Sequence, residues 1–159
     1  MAAYQPFTGA EAVEFKTVIP FVNLLGFELL KFDDGEAEIA LTLREELCNS
    51  WSVAHGGVMM TLLDVAMAHA ARSPGRGGEG QSNGIGVVTI EMKTSFMRPG
   101  LGRLLAKGRR VHATASLAFC EASIVDDKGM LVAQASGTFK YLKGLPAGGR
   151  KIHRDGASD

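Results

Sequence analysis

The sequence predicts an α+β fold in which an antiparallel sheet of about six strands wraps one long helix. One segment, from Gly57 to about Arg72, contains no proline and is rich in Met, Leu and Ala, a composition typical of helices. Two β-like runs precede this segment and four follow it, separated by turn sequences. Hairpin-linked strands favour an antiparallel sheet, and the apolar helix is the surface that such a sheet would cover.

The chain before the first strand is predicted to contain a short helix. Thr8 and Glu11 have the spacing of a capping box, in which each side chain bonds to a backbone amide of the first turn. The helix is expected from about residue 9 to 18, because Pro20 follows and the residue before a proline avoids helical geometry. A short N-terminal helix is therefore part of the predicted fold.

The first two strands are predicted to form a hairpin. The runs Phe27–Phe32 and Glu36–Leu43 are β-like, and Asp33-Asp34-Gly35 between them is a favourable turn. The long helix that follows has apolar residues almost all the way round its axis. Such a pattern predicts a helix that is buried on all sides.

The second half of the chain is predicted to supply four more strands. Ser73–Gly86, with six glycines, is expected to be a loop, and 143–159 a disordered tail of a single domain spanning 1–159. In the first of these strands, strict alternation would place Thr89 and Glu91 on one face and the apolar side chains on the other. The strands are expected at Val87–Met97, Arg103–His112, Ala115–Val125 and Met130–Leu142.

Composition and charge limit the expected partners. Lys plus Arg and Asp plus Glu each number 17, so no overall field attracts nucleic acid or an anionic membrane. The first residues lack the pattern of a secretory signal, and His55, Asp64 and His69 make the most apolar stretch too polar to span a bilayer. Cys48 and Cys120 show neither metal-ligand spacing nor a disulfide framework. We therefore expect a cytoplasmic, self-associating protein without a metal.

The segment from Asn49 to Gly57 carries the most informative residues. His55 is followed by Gly56 and Gly57 at the predicted start of the helix, and glycines leave the first helical amides unobstructed. These amides have no partner within the helix and lie at the positive end of its dipole, so they could stabilise an oxyanion. The two glycines could equally serve only a tight turn into the helix.

Asp64 falls in the middle of this apolar helix. A buried, unpaired carboxylate has a raised pKa and is a candidate base or nucleophile, although a buried hydrogen-bond anchor would give the same pattern. Asp64 lies eight residues beyond Gly56, which is about 12 Å along the helix axis. One carbonyl cannot touch both groups of the same chain. If both act on one substrate, a two-fold axis must bring in a second copy, so the catalytic hypothesis predicts a homodimer.

These residues resemble the N-x5-H-G-G-x6-D-x-A motif of PaaI-type hotdog-fold acyl-CoA thioesterases. Asn49, His55-Gly56-Gly57 and Asp64 match it at the family's offsets, and the likeness covers nearly all of residues 20–142. The resemblance implies a hotdog fold, hydrolysis of acyl-CoA thioesters, and homodimers that assemble into a homotetramer. It implies no cofactor, because CoA is part of the substrate.

The resemblance also implies a role for each matching residue. The amide of Gly56 would polarise the thioester carbonyl, and Asp64 of the partner subunit would attack it or activate a water. Asn49 would orient that water or the carboxylate. His55 would position the thioester or its leaving sulfur, and Thr89 would bind the water.

The phosphates of CoA need Arg, Lys or amide donors. Arg98, Arg109 and Arg110 are the candidate side chains, and Gly108 would let a phosphate approach the backbone. Gly57, at the mouth of the helix, is expected to contact the substrate as well. The alternative for the three arginines is that they are solvated residues at strand ends.

Several alternatives remain open from the sequence. Ser52 stands where many relatives have glycine, which would change the path of the loop before the helix. A binding protein that holds acyl-CoA without hydrolysis would keep the same pocket, and His55 with Asp64 could loosely imitate an enoyl-CoA hydratase or dehydratase. The acyl group could be small, medium-chain or aromatic. Covalent attack and attack by water are not separated.

Overall fold

The computed structural model describes residues 11–74 and 86–142. These residues form two α-helices, six strands and one turn of 3-10 helix at Glu45–Leu47. In chain order the helices and strands are α1 (Pro20–Leu25), β1 (Glu28–Asp33), β2 (Glu36–Thr42), α2 (Gly56–Arg72), β3 (Val87–Phe96), β4 (Arg103–Ala113), β5 (Leu117–Val125) and β6 (Leu131–Tyr141).

The six strands form one antiparallel sheet in the order β1-β2-β4-β5-β6-β3. The sheet curves around α2, which contacts every strand. The predicted fold class, a hotdog-type antiparallel sheet around one long helix with a second short helix, is thus confirmed. No helix in the described ranges is long and apolar enough to cross a membrane. The expected tail at 143–159 and most of the glycine-rich loop lie outside the described residues.

The turn of the β1–β2 hairpin follows from its sequence. Asp34 and Gly35 have φ values of 51° and 74°, the left-handed geometry that a two-residue hairpin turn requires. Asp33 and Glu36 are the last paired residues on either side of this turn. Gly35 N–H also donates to Pro74 O at 3.1 Å, which ties the hairpin to the end of α2.

The predicted position of the N-terminal helix is wrong. Residues 11–19 are not helical, and Val13 instead pairs with Leu29 of β1, its N–H donating to Leu29 O at 2.6 Å. The short helix starts at Pro20, because the fixed φ of proline suits the first helical position, where its missing N–H costs nothing. It ends at Gly26, whose φ of 74° is left-handed.

The close packing of α2 on the sheet depends on Gly108 of β4. A Cβ at this position would lie 2.4 Å from Ala66 O of α2, so only glycine lets the strand and helix backbones come this near. The suggestion that Gly108 admits a phosphate is therefore wrong, since the helix occupies that space. Leu62, Leu63 and Met67 of α2 are fully buried against the sheet.

One face of α2 is not covered by the residues that the structure describes. Gly57 is exposed, the side chain of Met60 is 40% exposed, and Asp64 is half-buried. These three positions share a face, because residues three or four apart are neighbours on a helix. The prediction that α2 is buried on all sides is thus wrong for a single chain.

A β-bulge in β3 changes which side chains face the helix. Thr89 pairs with Phe139 and Glu91 with Thr138, so the register shifts at Ile90. Because Phe139 is fully buried, its partner Thr89 faces the helix, while Glu91 accepts a hydrogen bond from Thr138 Oγ1 at 2.6 Å. The strict alternation predicted for this strand, with both polar residues on one face, is therefore wrong.

Candidate active site

The loop before α2 is shaped by the side chain of Asn49. Its Oδ1 accepts hydrogen bonds from Trp51 N–H at 2.9 Å and Val53 N–H at 3.4 Å. The backbone returns through His55 N–H, which donates to Leu47 O at 2.9 Å. Asn49 thus holds the loop that delivers His55 to the start of the helix.

Ser52 takes the backbone conformation that glycine prefers. Its φ is 58°, in the left-handed region that side chains with a Cβ seldom adopt. Ser52 N–H donates to Asn49 O at 3.0 Å and keeps the loop closed. Ser52 therefore keeps the loop in a left-handed turn at a cost of about 1 kcal/mol of backbone strain.

The amides of the first turn of α2 are not equivalent. Gly57 N–H donates to His55 Nδ1 at 2.9 Å, and Val58 and Met59 N–H donate to His55 O at 3.0 and 3.1 Å. Within residues 11–74 and 86–142 no acceptor takes the N–H of Gly56. Gly56 therefore offers an unused donor at the positive end of the helix dipole.

The same contact fixes the tautomer of the neutral His55 ring. Because Nδ1 accepts from Gly57, the ring proton of the neutral form lies on Nε2. His55 is the N-cap of α2 and its side chain is exposed, so Nε2–H can donate to a bound molecule. A Cβ at Gly57 would lie 3.2 Å from Nδ1, so a larger residue there would displace the ring.

An aromatic ring lies against Gly56. A Cβ at this glycine would be 3.6 Å from Cζ of Phe96, at the end of β3. An apolar neighbour lowers the local dielectric constant and so strengthens the interaction of an amide dipole with negative charge. No role for Phe96 is predicted from the sequence, because no residue pattern signals its contact with Gly56, forty positions earlier in the chain.

Asp64 is held by Thr89. Thr89 Oγ1 donates to Asp64 Oδ1 at 2.7 Å, which joins β3 to the open face of α2. Desolvation by burial raises the pKa of Asp64, and the hydrogen bond from Thr89 opposes part of that rise. The structure thus brings together two of the predicted site residues within one chain, and the bulge at Ile90 makes their contact possible.

Gly56 and Asp64 remain apart within one chain. They lie eight residues apart on α2, a regular helix, so about 12 Å of axial rise separates them. Among the described residues, Gly56 and Asp64 are each only partly buried. The structure is therefore compatible with the sequence-based expectation that the two groups meet only across two copies.

The three candidate CoA-binding arginines lie in different places. Arg98 follows β3, in the segment beside the loop before α2, and its Nη1 donates to Leu131 O at 2.7 Å. Arg109 pairs with Glu121 at 2.9 Å on the outer face of the sheet. Arg110 Nη1 donates to Ala71 O and Ser73 O, each at 3.0 Å, at the far end of α2.

Two further titratable groups, His69 and Cys120, are buried. In the described part of the chain, no three His, Cys, Asp or Glu side chains cluster as metal ligands. His69 is buried, its Nδ1 lies 2.8 Å from Val65 O, and burial lowers its pKa to about 4. Burial raises the pKa of the Cys120 thiol to about 12, so the thiol stays protonated.

The chain is similar to known thioesterases. A family model described as the thioesterase superfamily matches residues 52–133. The Acyl-coenzyme A thioesterase PaaI of Escherichia coli is 25% identical over 126 residues, which are 78% of this chain and 84% of that protein.

Solved structures that are 30% identical to this chain include a PaaI protein and a conserved protein from another bacterium. The phenylacetic acid degradation protein PaaI of Thermus thermophilus, solved as a variant, covers 78% of this chain and 100% of its own, with a TM-score of 0.67. A conserved protein of Pseudomonas aeruginosa covers 80% of this chain and 97% of its own, with a TM-score of 0.71.

Proposed function

Because the chain belongs to the thioesterase superfamily, with a PaaI-type hotdog fold, we propose that it hydrolyses acyl-CoA thioesters. The observation that carries this proposal is the unused N–H of Gly56 at the start of α2. An amide donor beside an apolar ring is suited to an oxygen that becomes negative during the reaction. The name of the Escherichia coli relative supports acyl-CoA as the substrate class.

The proposed reaction pairs this amide with the carboxylate of another copy. An oxygen of the partner's Asp64 attacks the thioester carbonyl carbon, and the carbonyl electron pair moves to the oxygen that Gly56 N–H holds. Collapse of this tetrahedral species breaks the C–S bond and releases the CoA thiolate, and water then hydrolyses the acyl-aspartyl anhydride. In the alternative route the same carboxylate takes a proton from water, and the water oxygen attacks.

The other site residues support this chemistry by positioning. Thr89 orients the Asp64 carboxylate through its hydroxyl, and Asn49 holds the loop that carries His55. His55 Nε2–H donates to the leaving sulfur in this proposal. The N–H of Gly57 is already bonded to His55 Nδ1, so it offers no free donor. Gly57 lines the path of the substrate in this proposal.

The proposed site is complete only in a dimer. Strand β3 is at the edge of the sheet, and its apolar residues Val88 and Ile90 are 42% and 55% exposed. An exposed apolar edge strand favours pairing with another strand, and a second copy offers the same edge under two-fold symmetry. The open face of α2 would then meet its counterpart, which brings Gly56 toward the partner's Asp64. Association of two such dimers into a homotetramer is part of the proposal.

The CoA phosphates are assigned to Arg98 among the three candidate arginines. One nitrogen of Arg98 donates to Leu131 O, and the residue lies beside the loop that precedes α2. Arg109 lies instead on the outer face of the sheet in an ion pair, and Arg110 lies at the far end of α2. Acyl groups from small to medium-chain or aromatic fit the proposal. No role for a cofactor or metal is required.

Asp64→Asn tests the proposed function most simply. The amide cannot act as nucleophile or base, so release of CoA thiol from a panel of acyl-CoAs should fall about 1000-fold or more while the fold is kept. Turnover near that of the wild type would reject the assignment. Water addition to an enoyl-CoA by the wild type would instead identify a hydratase, and tight binding of acyl-CoA without turnover would identify a binding protein.

A further inference from the structure

Met60 lies midway along α2 between the two groups that the proposed reaction requires. It lies four positions after Gly56 and four positions before Asp64. Its side chain is 40% exposed, whereas Met59 is 5% exposed and Leu63 fully buried. Met60 therefore points away from the core of its own chain, on the same open face as Asp64.

The two-fold symmetry of the proposed dimer puts this midpoint of α2 on the symmetry axis. An axis that brings Gly56 opposite the partner's Asp64 also brings Asp64 opposite the partner's Gly56. Such an axis passes between two antiparallel helices midway between these positions, which is at Met60. The Met60 side chains of the two copies then face each other, and each is equally close to both reaction centres.

The orientation of a bound acyl-CoA follows from the negative charge of its phosphates. A thioester carbonyl held between Gly56 and the partner's Asp64 has its CoA on one side and its acyl group on the other. The nucleotide of CoA carries phosphates that must stay in water or meet cations, so it extends outward from the dimer. The acyl group then extends inward along α2, toward the two-fold axis and the paired methionines.

We propose, on the basis of the proposed function, that Met60 is a specificity-determining residue that closes the acyl end of both active sites at the dimer axis. A thioether side chain is apolar, flexible and polarisable, which suits contact with an acyl chain. Because one pair of side chains borders two sites, a change at Met60 alters both sites at once. Smaller residues lengthen the accepted acyl chain and larger ones shorten it.

The position of Met60 at the axis is tested by cross-linking. In a chain with Cys48→Ser, Met60→Cys is treated with a bismaleimide that spans about 10 Å, the usual distance between packed helices. We expect a covalent dimer. The matched control is Ala68→Cys on the same helix face, whose two copies would be about 24 Å apart along the helices and should not cross-link. Equal cross-linking of both variants, or none of Met60→Cys, would overturn the axial position.

The role in specificity is tested by acyl-chain length. Met60→Ala should raise kcat/KM for acyl chains two or three carbons longer than the wild-type optimum by roughly tenfold relative to short chains, and Met60→Phe should do the opposite. A merely structural defect would lower all rates without moving the optimum. An unchanged optimum in both variants rejects this role alone. Absence of acyl-CoA hydrolysis by the wild type would reject the proposed function itself.

Discussion

At the scale of single residues, the free N–H of Gly56 differs from every other amide in the first turn of α2. His55 accepts from the next three amides through its side chain and carbonyl, so one donor is left for a ligand. The backbone before it is also informative, because His55 has φ −63° and ψ 137°. This extended geometry is what a residue before proline adopts, and proline is tolerated at the first helical position.

Gly56→Pro is therefore a selective removal of one hydrogen-bond donor. We expect the variant to fold and its kcat for acyl-CoA hydrolysis to fall about 100-fold or more, the usual cost of a lost oxyanion donor. Gly56→Ala is the matched control, since its added Cβ only reaches ordinary contact with Phe96 and its N–H remains. Equal activity of the two variants would show that this amide does not bind the developing oxyanion.

The hydroxyl of Thr89 provides a test based on pH. Only ionised Asp64 can act, so kcat/KM should fall as the pH drops through the pKa of this carboxyl, which burial raises above the ordinary range of an aspartate. Thr89→Val removes the hydrogen bond that lowers this pKa, so the acid limb should move to higher pH and activity on that limb should fall about tenfold. Thr89→Ser keeps a donor and should keep the wild-type profile. A pH profile unchanged by Thr89→Val would contradict the contact.

Some site residues can be predicted from the sequence and others cannot. Gly56 and Asp64 are readable because both lie on one helix, where spacing alone fixes their separation. The contact of Thr89 with Asp64 depends on the bulge at Ile90, and no residue pattern in β3 marks where the extra residue falls. The family resemblance implies that Thr89 belongs to the site. The alternation in β3, however, wrongly predicts that its side chain shares a face with Glu91.

At the scale of elements, α2 is the part that connects fold and site. Its first turn offers the Gly56 amide, and the carbonyls at its end accept hydrogen bonds from side chains of β4 and β6. Arg110 donates to Ala71 O and Ser73 O, and Tyr141 OH donates to Ala71 O at 2.8 Å. Cationic and hydroxyl donors at a helix C-terminus stabilise the unpaired carbonyls and the negative end of the dipole.

Arg110→Met distinguishes this structural role from CoA binding. Loss of the half-buried donor should lower the free energy of unfolding by about 1–3 kcal/mol, while KM for acyl-CoA stays unchanged. Arg109→Met is the surface control, because its exposed pair with Glu121 contributes about 1 kcal/mol or less. A tenfold rise in KM for Arg110→Met with an unchanged melting temperature would restore it as a phosphate ligand.

The elements also show what local sequence rules can and cannot predict. The hairpin turn at Asp34-Gly35 and all six strands were predicted to within a few residues, because turn residues and apolar runs are local signals. The N-terminal helix was misplaced, since Val13 pairs with Leu29 and this tertiary contact outweighs helix propensity. The sequence predicts that a helix ends before Pro20, whereas the short helix begins at Pro20.

At the scale of the whole molecule, the described residues of one chain leave two surfaces exposed on which the proposed dimer depends. These are the edge of β3, with exposed Val88 and Ile90, and the face of α2 that contains Met60 and Asp64. The sequence predicted a second copy from the spacing of Gly56 and Asp64, but apolar composition alone suggested a helix buried on all sides. Only the packed chain shows which face is left for a partner.

The central claim is that each site uses Gly56 of one copy and Asp64 of the other, and subunit mixing tests it directly. Gly56→Pro and Asp64→Asn chains are each assayed alone and then after joint unfolding and refolding. In a mixed dimer one site carries both changes and the other carries neither, so random mixing should restore about one quarter of wild-type acyl-CoA hydrolysis. If both groups acted within one chain, every site would carry a defect. A mixture as inactive as its two parents would contradict the shared site.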